Sequence, residues 1–144
     1  MEPIHLNELE LVEGWCEEDV TLRARFEVPT HVGTGAGSTA TVYMEVEPGC
    51  HIGRHVDSAE ELLLVLDGEA EVLLDGKPQR AGKDTLVLAP AMVPHDCRNV
   101  GTGTLRLLGF FSSSSVLTRH DDVIQPLGAD TFTLGELPAR RHPS

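Results

Sequence analysis

The 144-residue chain predicts an all-β domain closed as a sandwich or barrel, and three observations carry that prediction. Apolar runs of about five to eight residues recur between Gly, Asp and Pro. Where a run alternates, it does so with period two, and no long stretch carries the helical period. Many short strands without alternating helices favour a sandwich or barrel over a parallel α/β fold.

Taken in order, residues 7–18 hold the best helical candidate, a turn or two, although Gly14 interrupts a loose apolar spacing. Residues 20–26 read as an exposed edge strand. Residues 39–47 alternate cleanly, with Ala40, Val42, Met44 and Val46 on one face and Thr41, Tyr43, Glu45 and Glu47 on the other, which predicts a strand. Pro48 and Gly49 turn the chain. An apolar run at residues 62–66 ends at Asp67 and Gly68, and a further run at 69–74 ends at Asp75 and Gly76, so successive antiparallel strands are expected.

The turn at Gly82 to Asp84 leads into a strand at residues 85–89. Residues 90–94 form an irregular loop, because Pro90 and Pro94 cannot serve a central ladder. Strand character resumes at His95, and residues 104–111 make the last strong strand. Four serines at residues 112–115 predict a crossover. The tail, residues 116–144, is broken by Pro126, Pro138 and Pro143 and is expected to wrap the outside of the barrel with a frayed end. One domain, residues 1–144, is expected, with a core of about residues 39–111 and a C-terminal extension, 112–144, packed on it.

Bulk properties limit the function. A hydrophobic content of 40% suffices for one buried core. With 11 Lys and Arg against 23 Asp and Glu, the net charge of −12 argues against nucleic acid as a partner. Residues 1–12 mix Glu, His and Asn with apolar residues and lack the pattern of a signal peptide. No stretch has the apolar length that crosses a bilayer, so no membrane partner is expected. Cys16, Cys50 and Cys97 are odd in number, irregularly spaced and free of any CxxC motif, which fits a reducing, cytoplasmic setting.

Chemistry emerges when polar residues are placed on strand faces, since residues two apart point the same way. His51, Gly53, His55 and Asp57 share one face, Glu61 opens the next strand, and His95 shares a face with Cys97 on a third. A barrel brings such groups to one point. Two imidazoles with one or two carboxylates would be costly to bury alone, and a divalent cation offsets their desolvation. Such a mixed N/O set suits Fe(II), Mn(II), Ni(II) or Zn(II), and two His with a carboxylate and open positions is how many oxygenases hold iron.

These residues resemble the cupin superfamily, whose first motif runs G-x5-HxH-x3-E-x6-G and whose second runs G-x5-PxG-x2-H-x3-N. Gly49, His55, Glu61 and Gly68 stand at the spacing of the first motif, while Gly82, Pro90, His95 and Asn99 fit the second loosely. The resemblance implies a double-stranded β-helix, the jelly-roll or cupin barrel, with short N-terminal and C-terminal extensions. It implies His55, Glu61 and His95 as metal ligands. Asp57 stands where the family has its second histidine, and Met92 where the second motif has glycine. Asp57 is therefore a fourth candidate ligand, shifting the site towards harder metals.

His51 precedes His55 by four residues, roughly 13 Å along a regular strand, too far for both to reach one ion without a bulge. It reads as a pocket acid or base, so Glu61, His51 and Asp57 are the catalytic candidates. Glu60 reads as solvated and Cys97 as packing. His5, His31, His120 and His142 have no partner at metal spacing and are assigned to the surface, and Tyr43, Phe110 and Phe111 to the core or an interface.

The expected function is that of a small metal-dependent enzyme, first an oxygenase acting on an enol or phenol-like small molecule. Fe(II) or Mn(II) is the favoured ion, with Ni, Cu or Zn as alternatives. The second reading is a redox-neutral isomerase, lyase or cyclase, and the third a non-catalytic small-molecule-binding module. A homodimer is expected, and residues 20–26 offer an edge that wants a partner, with the interface itself left open.

Overall fold

A computed structural model describes residues 2–135 of the chain. Its strands are β1 (Val12–Trp15), β2 (Arg23–Thr30), β3 (Ala40–Val46), β4 (His55–Asp57), β5 (Glu61–Asp67), β6 (Glu69–Leu74), β7 (Lys77–Gly82), β8 (Leu86–Ala89), β9 (His95–Asn99), β10 (Leu105–Phe111), β11 (Leu117–Ile124) and β12 (Ala129–Thr133). They form two six-stranded sheets, in the orders β1-β2-β3-β10-β5-β8 and β12-β11-β4-β9-β6-β7. All pairings between these strands are antiparallel. The two sheets make the jelly roll of a double-stranded β-helix.

Period-two patterning explains the faces. On β5, Glu61, Leu63 and Val65 are buried while Leu62 is exposed, and on β10 Leu105, Leu107, Gly109 and Phe111 point inward. One apolar cluster gathers Val46, Leu63, Val65, Val72, Cys97, Leu105 and Leu107. A second gathers Val28, Ala40, Val42, Phe111 and Val116, and a third Cys16, Leu22 and Ile124. Burying a leucine such as Leu105 or Leu107 contributes about 2 kcal/mol. Tyr43, also fully buried, donates its hydroxyl to Glu45 and accepts a hydrogen bond from Arg106.

Several expectations are corrected. Residues 7–18 hold a 3-10 turn at Leu6–Glu8 and then β1 in place of a helix. Gly14, which looked like a helix breaker, lets the Phe26 ring approach, since a Cβ there would lie 3.0 Å from its edge. The strand beginning at Arg23 is no edge, because β1 and β3 pair with both of its sides. The 20–26 pairing surface is therefore covered within the chain.

β5 and β6 are consecutive but belong to different sheets, so Asp67 and Gly68 make a crossing rather than a hairpin. Gly68 has a φ of 93°, and a Cβ on it would sit 3.1 Å from Leu105 Cα. Only glycine serves that conformation at that approach. Met92, where the family motif has glycine, also has a positive φ, 63°. β7 escaped the sequence reading because four of its six residues are exposed and polar or prolyl.

The tail differs most. In place of a wrap, residues 117–133 extend the second sheet through β11 and β12, and β11 pairs directly with β4. The strands thus run beyond the expected 39–111 core at both ends. The expectations for residues 136–144, including the frayed end and His142, lie outside the described residues.

Candidate metal centre

β4 places His55 and Asp57 two residues apart on the buried face, and His55 stands opposite His95, the first residue of β9. The two rings lie 4.2 Å apart between centroids. His95 Nε2 is 3.2 Å from Asp57 Oδ2, and His55 Nε2 is 3.6 Å from the same oxygen. One donor atom from each of the three residues falls within 4.8 Å of the others, close enough to bind one ion.

The orientation of both rings follows from the backbone. His55 Nδ1 donates to Gly53 O at 2.7 Å and His95 Nδ1 to Val93 O at 2.9 Å. A carbonyl only accepts, so the proton on each Nδ1 is committed and Nε2 is the nitrogen left for the cluster. Asp57 is held likewise, its Oδ1 accepting from the Thr118 hydroxyl at 2.7 Å. Its Oδ2 is buried and is left to the Nε2 atoms of His95 and His55. A buried carboxylate oxygen is costly unless a cation neutralises it, and with two imidazole nitrogens aimed at the same oxygen the residues present fit a divalent ion.

Electrostatics agree. Burial opposes the charged ring of His95, but the facing Asp57 and Glu61 carboxylates overcome it and push its pKa up to about 10. Burial likewise opposes ionisation of Asp57, yet His95 and His55 hold its pKa below the ordinary carboxylate value. The cluster is an attractive seat for positive charge.

Glu61 is 3% exposed and reaches His95 Nε2 with Oε1 at 3.3 Å. Its carboxylate occupies the space over Gly109, where a Cβ would come within 2.1 Å of Oε2. Glu61 thus adjoins the cluster through His95, outside the three-residue group that the expected ligand set of His55, Glu61 and His95 would have included it in. Asp57 stands inside that group.

His51 goes elsewhere. Its Nδ1 lies 2.7 Å from Asp96 Oδ2 and its Nε2 2.9 Å from Asp19 Oδ2. Both nitrogens are occupied by carboxylates, and His51 is absent from the described lining of the cavity, which corrects its expected role as a pocket acid or base. The regular strand assumed from His51 to Asp57 is broken at Gly53, whose N–H donates to Asp96 Oδ1.

His120, assigned to the surface, lines the cavity instead. Its ring stacks on His55 at 4.8 Å and on Phe132 at 5.6 Å. Burial, reinforced by His55, pushes its pKa down to about 3. Thr118 and His120 were missed because β11 reads as polar, although their spacing of two was the available signal. Cys97 packs in the apolar core, with its thiol pKa raised by burial. Glu60 is exposed, as expected.

A cavity of about 80 Å³ opens beside the cluster. Its lining draws on all three apolar clusters, including Ile52, Val42, Phe111, Leu22 and Ile124, and ends on His55, Asp57 and Glu61.

Residues 42–111 match the cupin domain family. That segment is a cupin domain, and the two sheets around it have the cupin fold. A predicted oxalate decarboxylase of Thermotoga maritima superposes with a TM-score of 0.66 at 16% identity, covering 78% of this chain and 99% of that one. The polyketide cyclase RemF of Streptomyces resistomycificus gives 0.63 at 20% identity, over 77% and 78% of the two chains. The cupin domain of Schizosaccharomyces pombe Cnp3 gives 0.63 at 17% identity, over 77% and 73%. At these identities the likeness is one of fold. No curated protein matches the chain by sequence.

Proposed function

We propose that this cupin is a metal-dependent enzyme carrying out an oxygenase-type reaction on a small organic molecule bound next to His55, Asp57 and His95. The observation that carries the reading is the convergence of two histidine Nε2 atoms, each oriented by a carbonyl on its Nδ1, upon a buried Asp57 oxygen that the Thr118 bond leaves facing them. Two His and one carboxylate would hold the ion and leave positions open, the arrangement typical of non-haem iron oxygenases. Fe(II) or Mn(II) in this site would supply Lewis acidity and one-electron chemistry towards dioxygen.

The chain does the rest. Gly53 O and Val93 O keep the His55 and His95 rings from turning. Thr118 keeps Asp57 from swinging away. The apolar walls exclude bulk water from the reacting atoms. Glu61, at the cavity end and beside His95, is the proton carrier, accepting at Oε1 or Oε2 and returning the proton to product.

The test is elemental analysis of the purified parent protein and its His95→Ala variant, paired with oxygen-electrode assays of the parent. About one iron or manganese per chain, lost in the variant, is the expected result. Zinc would redirect the work to isomerase, lyase or cyclase chemistry, because zinc has no redox chemistry. A parent that takes up no metal even when supplied with Fe(II) would overturn the reading and leave a binding module.

A further inference from the structure

The two histidines of the cluster lie on β4 and β9, which meet in register at His55 and His95. Just upstream the same two stretches of chain are joined again, His51 bridging to Arg98 and the Ile52 N–H donating to Cys97 O at 3.1 Å. His51 to His55 is a step of four residues, whereas Arg98 to His95 is a step of three. The strand leading to His55 therefore carries one extra residue, a bulge at Gly53 and Arg54 with Asp96 opposite it. Paired residues share a face, and positions three apart on β9 take opposite faces. The bulge thus turns His55 into the cluster and leaves His51 on the other side of the sheet.

Asp96 is 6% exposed and spends both carboxylate oxygens on the bulged strand. Oδ1 accepts from the Gly53 N–H at 2.9 Å, and Oδ2 meets His51 Nδ1 at 2.7 Å. The Gly53 N–H, which a bulge takes out of the ladder, thereby finds a side-chain acceptor. Gly53 has a φ of 96°, and a Cβ on it would fall 2.8 Å from Leu22 Cδ1 and 3.2 Å from His120 Nδ1, so glycine is required at this point. Its carbonyl is the acceptor that fixes the His55 ring. His51 is held from behind: Nε2 lies 2.9 Å from Asp19 Oδ2, and Asp19 Oδ1 accepts from the Thr21 N–H and hydroxyl. The His51 N–H in turn donates to Thr21 O at 2.9 Å. Asp19, His51 and Asp96 are all absent from the described cavity lining.

Resting on the metal-site reading above, we infer that Asp96 is a positioning residue for the metal centre, acting through the Gly53 bulge that aims His55 Nε2 at Asp57 and His95. Asp19 and His51 hold the Asp96 carboxylate in place, so the chain between β1 and β2 supports the centre without touching it. A carboxylate that only stabilised the fold would leave the way His55 presents its nitrogen unchanged.

The parent, Asp96→Ala and Asp96→Asn are compared with Co(II) as the metal probe, circular dichroism confirming that each variant folds. Asparagine keeps an oxygen for the Gly53 N–H and is the conservative rescue. Co(II) affinity, read by competition with a chromophoric chelator, should fall about tenfold to a hundredfold in Asp96→Ala and stay within about threefold of the parent in Asp96→Asn. The visible bands of bound Co(II) should shift in the alanine variant alone. In metal-free protein, ring-nitrogen NMR should find the His55 proton fixed on Nδ1 in the parent and Asp96→Asn, and shared between the two nitrogens in Asp96→Ala. Hydrogen exchange of the Gly53 amide, measured on the metal-free parent and so independent of any variant's folding, should be slow. Unchanged Co(II) affinity in Asp96→Ala, an equal loss in Asp96→Asn, or a Gly53 amide that exchanges like an open turn would overturn the inference. A parent that binds no Co(II) would instead fail the metal-site reading, and the His55 ring and Gly53 amide would still decide the role of Asp96.

Discussion

Thr118 on β11 donates its hydroxyl to Asp57 Oδ1 on β4 at 2.7 Å, across a strand pair in which Thr118 and Asp57 are directly opposed. That bond leaves Oδ2 facing His55 and His95. The C-terminal segment is therefore part of the site, since its β11 supplies both this hydroxyl and the His120 ring.

Removing the hydroxyl isosterically should loosen the ligand without disturbing the core. Thr118→Val is expected to weaken metal affinity by about tenfold, the lower end of effects for groups that orient a ligand. A competition titration against a chromophoric chelator measures this, and an unchanged affinity would show that Asp57 is oriented by packing alone.

Gly109 keeps the Glu61 carboxylate beside His95 by leaving room for it. A methyl group at Gly109 would meet Oε2 at 2.1 Å, and the flexible end of the glutamate, rather than the backbone, would move. Gly109→Ala should therefore reduce turnover by about tenfold or more, in the range ascribed to general acid–base groups, with metal content retained. Glu61→Gln should do the same. Loss of metal in Glu61→Gln would make Glu61 a ligand rather than a proton carrier.

His51 gives a pH dependence whose sign is fixed. Hydrogen bonding to Asp96 foremost, and then to Asp19, raises its pKa above 6.5 against the opposing effects of burial and of Arg98. Asp19 itself, held down to about 2 by Thr21 and then by His51, stays ionised throughout. A group that binds its proton more tightly when folded contributes fully below its unfolded value and loses that contribution as pH rises through the folded one. The melting-temperature gap between metal-free parent and His51→Gln should thus be wider at about pH 5.5 than at about pH 9. A wider gap at the alkaline end would contradict the pairing.

Strands, turns and motif spacing were legible in the chain because they are local. The alternation in residues 39–47, the breaks at Asp67, Gly68, Asp75 and Gly76, and the spacing of His55, Glu61 and His95 each depend on near neighbours along the backbone. So most strands between residues 39 and 111, the cupin resemblance and the meeting of His55 with His95 could be anticipated, whereas β1, β7, β11 and β12 could not. Tertiary structure alone decided which sheet each strand joins, because any strand's unpaired N–H and C=O groups are satisfied by more than one partner. That choice sent β5 and β6 to different sheets, covered β2 on both sides, and set β11 against β4. It also drew His51 to Asp19 and Asp96 and brought Thr118 and His120 to Asp57 and His55, contacts spanning 32, 45 and 61 residues of chain wherever a hydrogen bond marks them. No periodicity records such long-range pairings, because their energy arises only after the sheets have closed.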